Sequence, residues 1–421
     1  MRSLLLVCSV LLLHNTIFSQ SELKGKVIAS DTRKPVALAN VYLSNTAVGT
    51  ITNENGEFII PAFPSGRFDL IVSFIGYETY KVTIQSSNLP SLLEIVLQPK
   101  VNELKEVVVE PYEKDGWSKW GKFFLEHFIG TSVYARNCKL LNKDALKFRF
   151  SKKSNTLTVF ANETLVIESK SLGYRIKYDL IQFEFDYSKR MFFFQGYPFF
   201  EELDPSPKEK VKSRWESNRE EAYRASLMHF MRSLYRNQLI ENGFEVRAMT
   251  KISEEERQRV STIYRSLIQK NFYAGGMSIG SGAKSNSFST DASDSMDYYR
   301  KVMQNPESFN VPGGELLQGD SIAFQIDSAV AGLYFDNYLQ VKFPAETMPA
   351  EYQQAMYGNK PALPLLVISE ITITNGKAIA VFANGSFFEG RYLVTYGYWA
   401  LNEKVGNMVP FDYWPGKKKS N

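Results

Sequence analysis

"GKVIASDTRKPVALANVYLSNTAVGTITNENGEF", Gly25–Phe58, is built of short apolar runs broken by turn residues. Val41 and Leu43 flank Tyr42, and further on Phe68, Leu70, Val72 and Phe74 recur at every second position. That spacing puts a set of side chains on one face of a strand. "NENGEF" sets Asn55-Gly56 between β-like runs. The dipeptide takes positive φ readily, so it suits a tight hairpin. Several short strands at this spacing predict a β-sandwich whose inner faces bury the alternating set.

Upstream, Arg2 and the apolar run "LLLVCSVLLL", Leu4–Leu13, precede the small residue Ser19. This is the pattern of a cleaved secretory signal over residues 1–19. The run is shorter than the roughly 18 apolar residues that a membrane-spanning helix needs. The mature chain is expected to begin near Gln20 or Ser21, to have no transmembrane span, and to reside in the periplasm or at the outer membrane. Cys8 leaves with the signal, so Cys138 has no intramolecular disulfide partner. The 421 residues allow two or three domains, and the hydrophobic content of 44% is ordinary for a protein with a core. A net charge of +4 without a concentrated basic stripe argues against a nucleic-acid partner.

"GKVIASDTRKPVALANVYLSNTAVGTITNENGEF", "FIGYETYKVTI" and "LLEIVLQP" together resemble the carboxypeptidase-regulatory-like domain, a transthyretin-like sandwich of exported proteins of Gram-negative bacteria. The resemblance implies a non-catalytic sandwich over residues 20–99, used for interaction or stability. "KDGWSKWGKFFLEHFIG", "SRWESNREEAYRASLMHFMRSLYR" and "GYWALNEKVGNMVPFDYWP" resemble segments that follow this sandwich in uncharacterised exported proteins. That second resemblance implies a complete chain rather than a truncated transporter, and it implies no activity.

A linker, residues 100–114, carries the β-rich run "LKEVVV" up to Pro111. Residues 115–421 read as a mixed α+β region with an antiparallel sheet and long helices, so the whole chain is mainly β with α. Asp115 can cap a helix whose Trp117, Trp120, Phe124 and Phe128 share a face, and Gly130 can stop it. Tyr174, Ile176 and Tyr178 alternate, and Phe183, Phe185 and Tyr187 continue the pattern shifted by one, which predicts a bulge near Leu180-Ile181. Turns are expected at 153–155 and 188–189. Ser206, Pro207 and Glu209 are expected to start a helix of about 35 residues that Gly243 stops, with a break near Ser217-Asn218. Ser253 starts another, with Val260, Ile263, Tyr264 and Leu267 at helical spacing. Residues 275–295 read as an exposed Ser/Gly-rich loop, and Asn375-Gly376 as a hairpin turn. The capped helices argue against an outer-membrane barrel, which needs many strands of about 10 residues.

A zinc carboxypeptidase needs a His-x-x-Glu pair and a distant His. Gly130 stands three residues after His127, and Arg232 three after His229. No metal, cofactor or catalytic residue is therefore expected. "GMSIG", Gly276–Gly280, fits a nucleophile elbow only superficially. Glu201, Glu202 and Asp204 read as solvated carboxylates, and Asn53, Glu54, Asn55 and Glu57 as turn chemistry rather than a calcium loop. The polar group that stands out is His229, Arg232 and Arg236, with Arg219 upstream. They are expected on the helix side opposite Tyr223, Leu227, Phe230, Met231 and Leu234. Arginines there can fork to a carboxylate or phosphate of a ligand, or simply pair within the protein. The sequence thus points to a non-enzymatic envelope interaction or scaffold protein, with an envelope protein or cell-surface glycan as partner. The alternative is a periplasmic hydrolase or carbohydrate-processing enzyme in the C-terminal region.

Overall fold

Alternating burial in the N-terminal segment is realised as two facing sheets. The computed structural model describes residues 22–100, 111–273, 298–299, 302–303, 310–358 and 365–416. The signal segment, "LKEVVV", the 275–295 loop with its "GMSIG" match, and the basic tail lie outside the described residues. The strands are β1 Leu23–Ala29, β2 Asn40–Leu43, β3 Gly49–Ile51, β4 Glu57–Ile60, β5 Arg67–Ser73, β6 Tyr80–Gln85 and β7 Leu93–Leu97. One sheet has the order β4-β1-β7 and the other β3-β2-β5-β6. Val27, Val41, Leu43, Phe58, Phe68, Leu70, Val72 and Ile95 fill the space between them. Phe74 departs from the period-two expectation: it is half-buried against Tyr77, at the point where the strand ends. Asn55-Gly56 does not close a hairpin. It joins β3 to β4, which pair in different sheets, so the turn crosses the sandwich. Asn53 Oδ1 accepts the N–H groups of Asn55 and Glu57, the turn chemistry expected there.

The chain divides into two units. The first holds Met1–Ile129, Val133–Glu220 and Met408–Asn421, and the second Gly130–Ser132 and Glu221–Asn407. The division at Glu220 falls inside the stretch that the sequence reads as one α+β block. The first unit therefore contains more than the sandwich. It adds β8 Cys138–Leu140, β9 Leu146–Ser151, β10 Thr156–Ala161, β11 Leu165–Ser169, β12 Tyr174–Asp186 and β13 Met191–Glu202. These form one antiparallel sheet around β12, which pairs β11 along its first half, β10 along its second and β13 throughout. The register shifts between Leu180 and Gln182, where the sequence puts a bulge. Helix α1, Gly116–Phe128, lays Phe124 and Phe128 against Phe183 and Tyr178, at ring separations of 5.0 Å each. Two fully buried phenylalanines contribute about 1.5–3 kcal/mol each through area removed from water. Asp115 stands at the N-cap without a side-chain cap bond; its carbonyl accepts the Lys119 N–H instead.

The sandwich and this sheet are joined by a buried seam. The Tyr42 hydroxyl donates to Asp179 at 2.7 Å, and the Tyr42 ring lies 5.1 Å from Phe199. The Asn45 N–H donates to the Pro198 carbonyl, and the Phe200 N–H to the Thr46 carbonyl. Ile71, which points away from the sandwich core, is also buried. Residues 408–416 belong to the same unit, where the Phe411 N–H donates to the Asn45 carbonyl.

The second unit is built on β14 Glu245–Lys251, β15 Asn310–Pro312, β16 Ala323–Asp327, β17 Val330–Leu333, β18 Tyr338–Thr347, β19 Leu366–Ile373, β20 Ile379–Phe382 and β21 Leu393–Gly397. One sheet runs β15-β14-β18-β19-β21 and a small one β16-β17-β20. Asn375-Gly376 again fails as a hairpin, because β19 and β20 pair in different sheets. The expected long helix is two helices, α2 Glu209–Tyr223 and α3 Leu227–Tyr235. Ser217 and Asn218 lie within α2, so the break comes later than expected, at Ala225. The helix also starts later: the Lys208 carbonyl takes the first intrahelical bonds, while Ser206 sits in a turn set by Asp204. Helix α4, Glu254–Tyr273, starts on Ser253, whose Oγ accepts the Glu256 N–H as expected. Among the described residues, no helix is long and apolar enough to cross a membrane.

Candidate functional site

Ala225 is where the site begins. It has φ 55°, a left-handed conformation that costs a residue with a Cβ about 1 kcal/mol or more. Four bonds hold it there. Its N–H donates to His229 Nδ1 at 3.3 Å, and its carbonyl accepts the Trp399 indole N–H at 2.7 Å. Ser226 Oγ caps α3 by accepting the His229 N–H, and the Glu403 carboxylate accepts the Leu227 N–H at 3.0 Å. A carboxylate on the first free N–H groups of a helix is favoured by the helix dipole as well as by the bond.

Leu227, Phe230, Met231 and Leu234 are buried as the wheel predicts, but the opposite side of α3 is not a free polar face. The His229 ring sits among Tyr223, Phe244 and Phe343, with centroids 4.8–5.9 Å away. Burial, then the charges of Arg232 and Arg224, push its pKa down to about 4. The ring is therefore neutral at pH 7, with Nδ1 as an acceptor. Arg232 is 1% exposed, donates from Nε to the Asn384 carbonyl at 2.9 Å, and lies over the Tyr223 ring. Gly385 makes room for it: with φ +85°, a Cβ there would stand 3.0 Å from Arg232 Cγ and 2.9 Å from Met228 Cγ. Arg236 is exposed and donates to the carbonyls of Arg232 and Ala383. The two arginines therefore brace the turn 383–386.

Arg219 belongs to the first unit and to a different task. Helix α2 presents Trp215, Asn218 and Arg219 to the turn between β11 and β12. Trp215 donates to the Lys170 carbonyl at 2.9 Å, Asn218 to Ser171 at 2.8 Å, and Arg219 Nε to Leu172 at 2.7 Å. The Arg219 fork also holds Glu202, at 2.7 and 3.3 Å, and stacks 3.9 Å from the Tyr174 ring centre. Glu202 is thus engaged rather than simply solvated. Of the residues singled out from sequence, His229, Arg232 and Arg236 come together and Arg219 serves another element.

Sequence reasoning missed the buried polar group after α5, Tyr398–Asn402. The Asn407 amide donates to Asn402 Oδ1 at 2.8 Å, to the Asn402 carbonyl at 2.9 Å and to the Tyr352 hydroxyl at 3.0 Å. Ser132 donates to Asn407 in turn. Beside them, burial raises the carboxyl pKa of Glu403 and pushes Lys404 down to about 7, with Glu403 partly opposing the second shift. Glu403 as a residue keeps some accessible surface while its carboxyl lies deep. These groups come from residues 132, 352 and 402–407. Their one legible sign is a polar stretch, "LNEKVGN", inside an aromatic segment. A separate groove of about 280 Å³ runs beside the C-terminal end of α3, lined by Tyr235, Asn237, Asp320, Phe324 and Asp327. No cluster of three or more His, Cys, Asp or Glu side chains suited to a metal occurs among the described residues.

Residues 23–109 match the family of the CarboxypepD_reg-like domain. The N-terminal sandwich is a carboxypeptidase-regulatory-like domain of the kind found in bacteria. The chain is 34% identical over 98 residues to the TonB-dependent receptor P39 of Formosa agariphila, covering 23% of this chain and 9% of the receptor. It is 31% identical over 109 residues to the TonB-dependent receptor SusC of Bacteroides thetaiotaomicron, covering 26% and 10%. The chain spans about a tenth of the length of these curated relatives. Among solved structures, the Bacillus anthracis TIE protein aligns over 44% of this chain and 32% of its own, with 12% identity. The TM-score of that alignment is 0.15.

Proposed function

We propose that the protein is a non-enzymatic interaction or scaffold protein of the bacterial envelope, exported and held in the periplasm or at the outer membrane. The observation that carries this reading is the N-terminal domain shared with two TonB-dependent receptors, which sets an envelope context. The signal pattern at residues 1–19 agrees with it. The inward-directed bonds of Arg219, His229 and Arg232 add support, because side chains committed to the protein's own backbone serve architecture before ligands. The partner is an envelope protein or a cell-surface glycan. Fractionation with intact-mass measurement tests the address. The mature chain is expected in the envelope fraction, starting near Gln20 or Ser21. A cytoplasmic chain with Met1 in place overturns the reading.

One observation favours a periplasmic hydrolase or carbohydrate-processing enzyme as a second reading. Glu403, its pKa raised by burial, lies next to Lys404 at about 7, the sort of environment that tunes a general acid or base. Ester and glycoside turnover by the mature chain, abolished in a folded Glu403→Gln variant, would replace the scaffold by the enzyme.

A further inference from the structure

Two hairpin tips lie side by side at one end of the six-stranded sheet. One is the turn 152–155 between β9 and β10, the other the turn 187–190 between β12 and β13. The Tyr187 N–H donates to the Asn155 carbonyl at 3.0 Å, and the Asn155 amide reaches Ser188 Oγ at 3.5 Å. The tips are therefore held as one edge. They expose four cations: Lys152, Lys153, Lys189 and Arg190. Asp186 is the acidic residue beside them. It accepts the N–H groups of Ser188 and Lys189 and pairs with Lys189 Nζ at 3.2 Å. Glu184 stands two positions back on the same strand. The cations thus outnumber the carboxylates at the edge itself.

Apolar side chains open to solvent right behind this fringe. Met191 is 44% exposed, and Phe150, Tyr187, Phe192 and Phe193 are half-buried. They do not yield to solvent as a loose loop does. Trp120 of α1 stacks on Phe150 at 5.4 Å, and Phe123 backs Tyr187 at 5.7 Å. A rigid edge with cations in front, and methionine and aromatic rings just behind, matches the layering of a bilayer surface. Phosphate headgroups meet the cations, and the boundary below them accepts the apolar groups. A soluble anionic glycan would satisfy the cations and leave the apolar layer wet.

From this layering we infer that the paired tips, residues 152–155 and 187–191, dock the protein onto an anionic phospholipid surface. The inference rests on the envelope reading above, and its failure is separable from that reading's.

Mature protein is sedimented with vesicles of phosphatidylglycerol and phosphatidylcholine, and with phosphatidylcholine alone. Binding is expected to the mixed vesicles, to fall steeply with added salt, and to be weak without the anionic lipid. Each cation near the surface is worth about a fivefold factor in partitioning. The double variant Lys152→Glu, Lys153→Glu is therefore expected to lose roughly tenfold or more. Met191→Ser is expected to lose less, with the salt dependence unchanged. Thermal midpoints equal to wild type establish that each variant is folded. Equal binding to both vesicle types, no vesicle binding, or folded charge variants that bind like wild type each overturn the proposal. So does variant-sensitive binding to dextran sulfate without binding to vesicles, which would assign the edge to a soluble polyanion. A chain that fractionates with the envelope yet ignores vesicles sinks this proposal alone, whereas a cytoplasmic chain sinks the envelope reading.

Discussion

Arg232 and Arg236 carry the same charge on the same helix, four residues apart, and differ in what surrounds them. Arg232 is enclosed, bonded to the Asn384 carbonyl, and shaped around Gly385. Arg232→Ala should leave a cavity and a buried carbonyl without its donor, costing about 2–4 kcal/mol. Arg236 makes its bonds at the surface, and Arg236→Ala should stay within about 0.5 kcal/mol. Urea denaturation of the two variants gives the comparison, and equal midpoints would contradict the burial of Arg232. His229 makes stability depend on pH. Its pKa falls from 6.5 to about 4 on folding, so between those values the unfolded chain binds more protons. Its contribution is complete above pH 6.5 and is lost as pH falls toward 4, at up to about 1.4 kcal/mol per unit. His229→Asn keeps an acceptor near Ala225 and cannot titrate. The gap in stability between wild type and variant should therefore narrow or reverse from pH 7 to pH 4.5, and a constant gap would exclude this role. Phe68 and Phe74 offer a simpler contrast. Phe68→Ala should cost about 3–5 kcal/mol and the half-buried Phe74→Ala clearly less, read from the same midpoints.

At the scale of elements, the expected single helix is divided into α2 and α3. Glycine and proline, the usual breakers, are absent from residues 209–235, so the one local mark of the break at Ala225 is Ser226, whose Oγ caps α3. Trp399 and Glu403, more than 170 residues away, bond to the backbone on either side of that cap. Local signals were legible elsewhere: the shifted alternation around Leu180-Ile181 became the observed register shift, and Ser253 the observed cap. Helix α2 in turn clamps the turn after β11, and Gly173 is its tightest point. Gly173 has φ +72°, and a Cβ there would stand 2.2 Å from the Trp215 ring. Gly173→Ala should cost at least about 2 kcal/mol from backbone strain and displacement of the ring. It should also weaken the Trp215 bond to Lys170, which tryptophan fluorescence can follow. A variant as stable as wild type would show that the turn is not clamped.

Over the whole molecule, the sandwich does not end at its own core. Tyr42 and Ile71 are buried on the face away from that core, and Tyr42 meets Asp179 across 137 residues of sequence. Tyr42→Phe in the full chain should cost about 1–3 kcal/mol, because Asp179 loses a donor in a buried place. An isolated fragment 22–100 exposes the same face to water. Its unfolding midpoint should lie below that of the same segment in the full chain, as amide exchange of β2 and β5 can measure; equal protection would mean that the seam contributes nothing. The sequence by itself determined the sandwich, the mainly β character and most turns, since these rest on period-two alternation and residues a few positions apart. Even there it read Asn55-Gly56 and Asn375-Gly376 as hairpins, because a turn's chemistry does not say whether the next strand pairs with the last. Only the tertiary structure decided that Arg232 is enclosed, that His229 sits among aromatic rings, that Glu403 caps α3, and that the outer face of β2 and β5 is covered. The reason is physical: burial and pKa depend on which distant groups exclude water from a side chain, and the chain's local pattern carries no record of them.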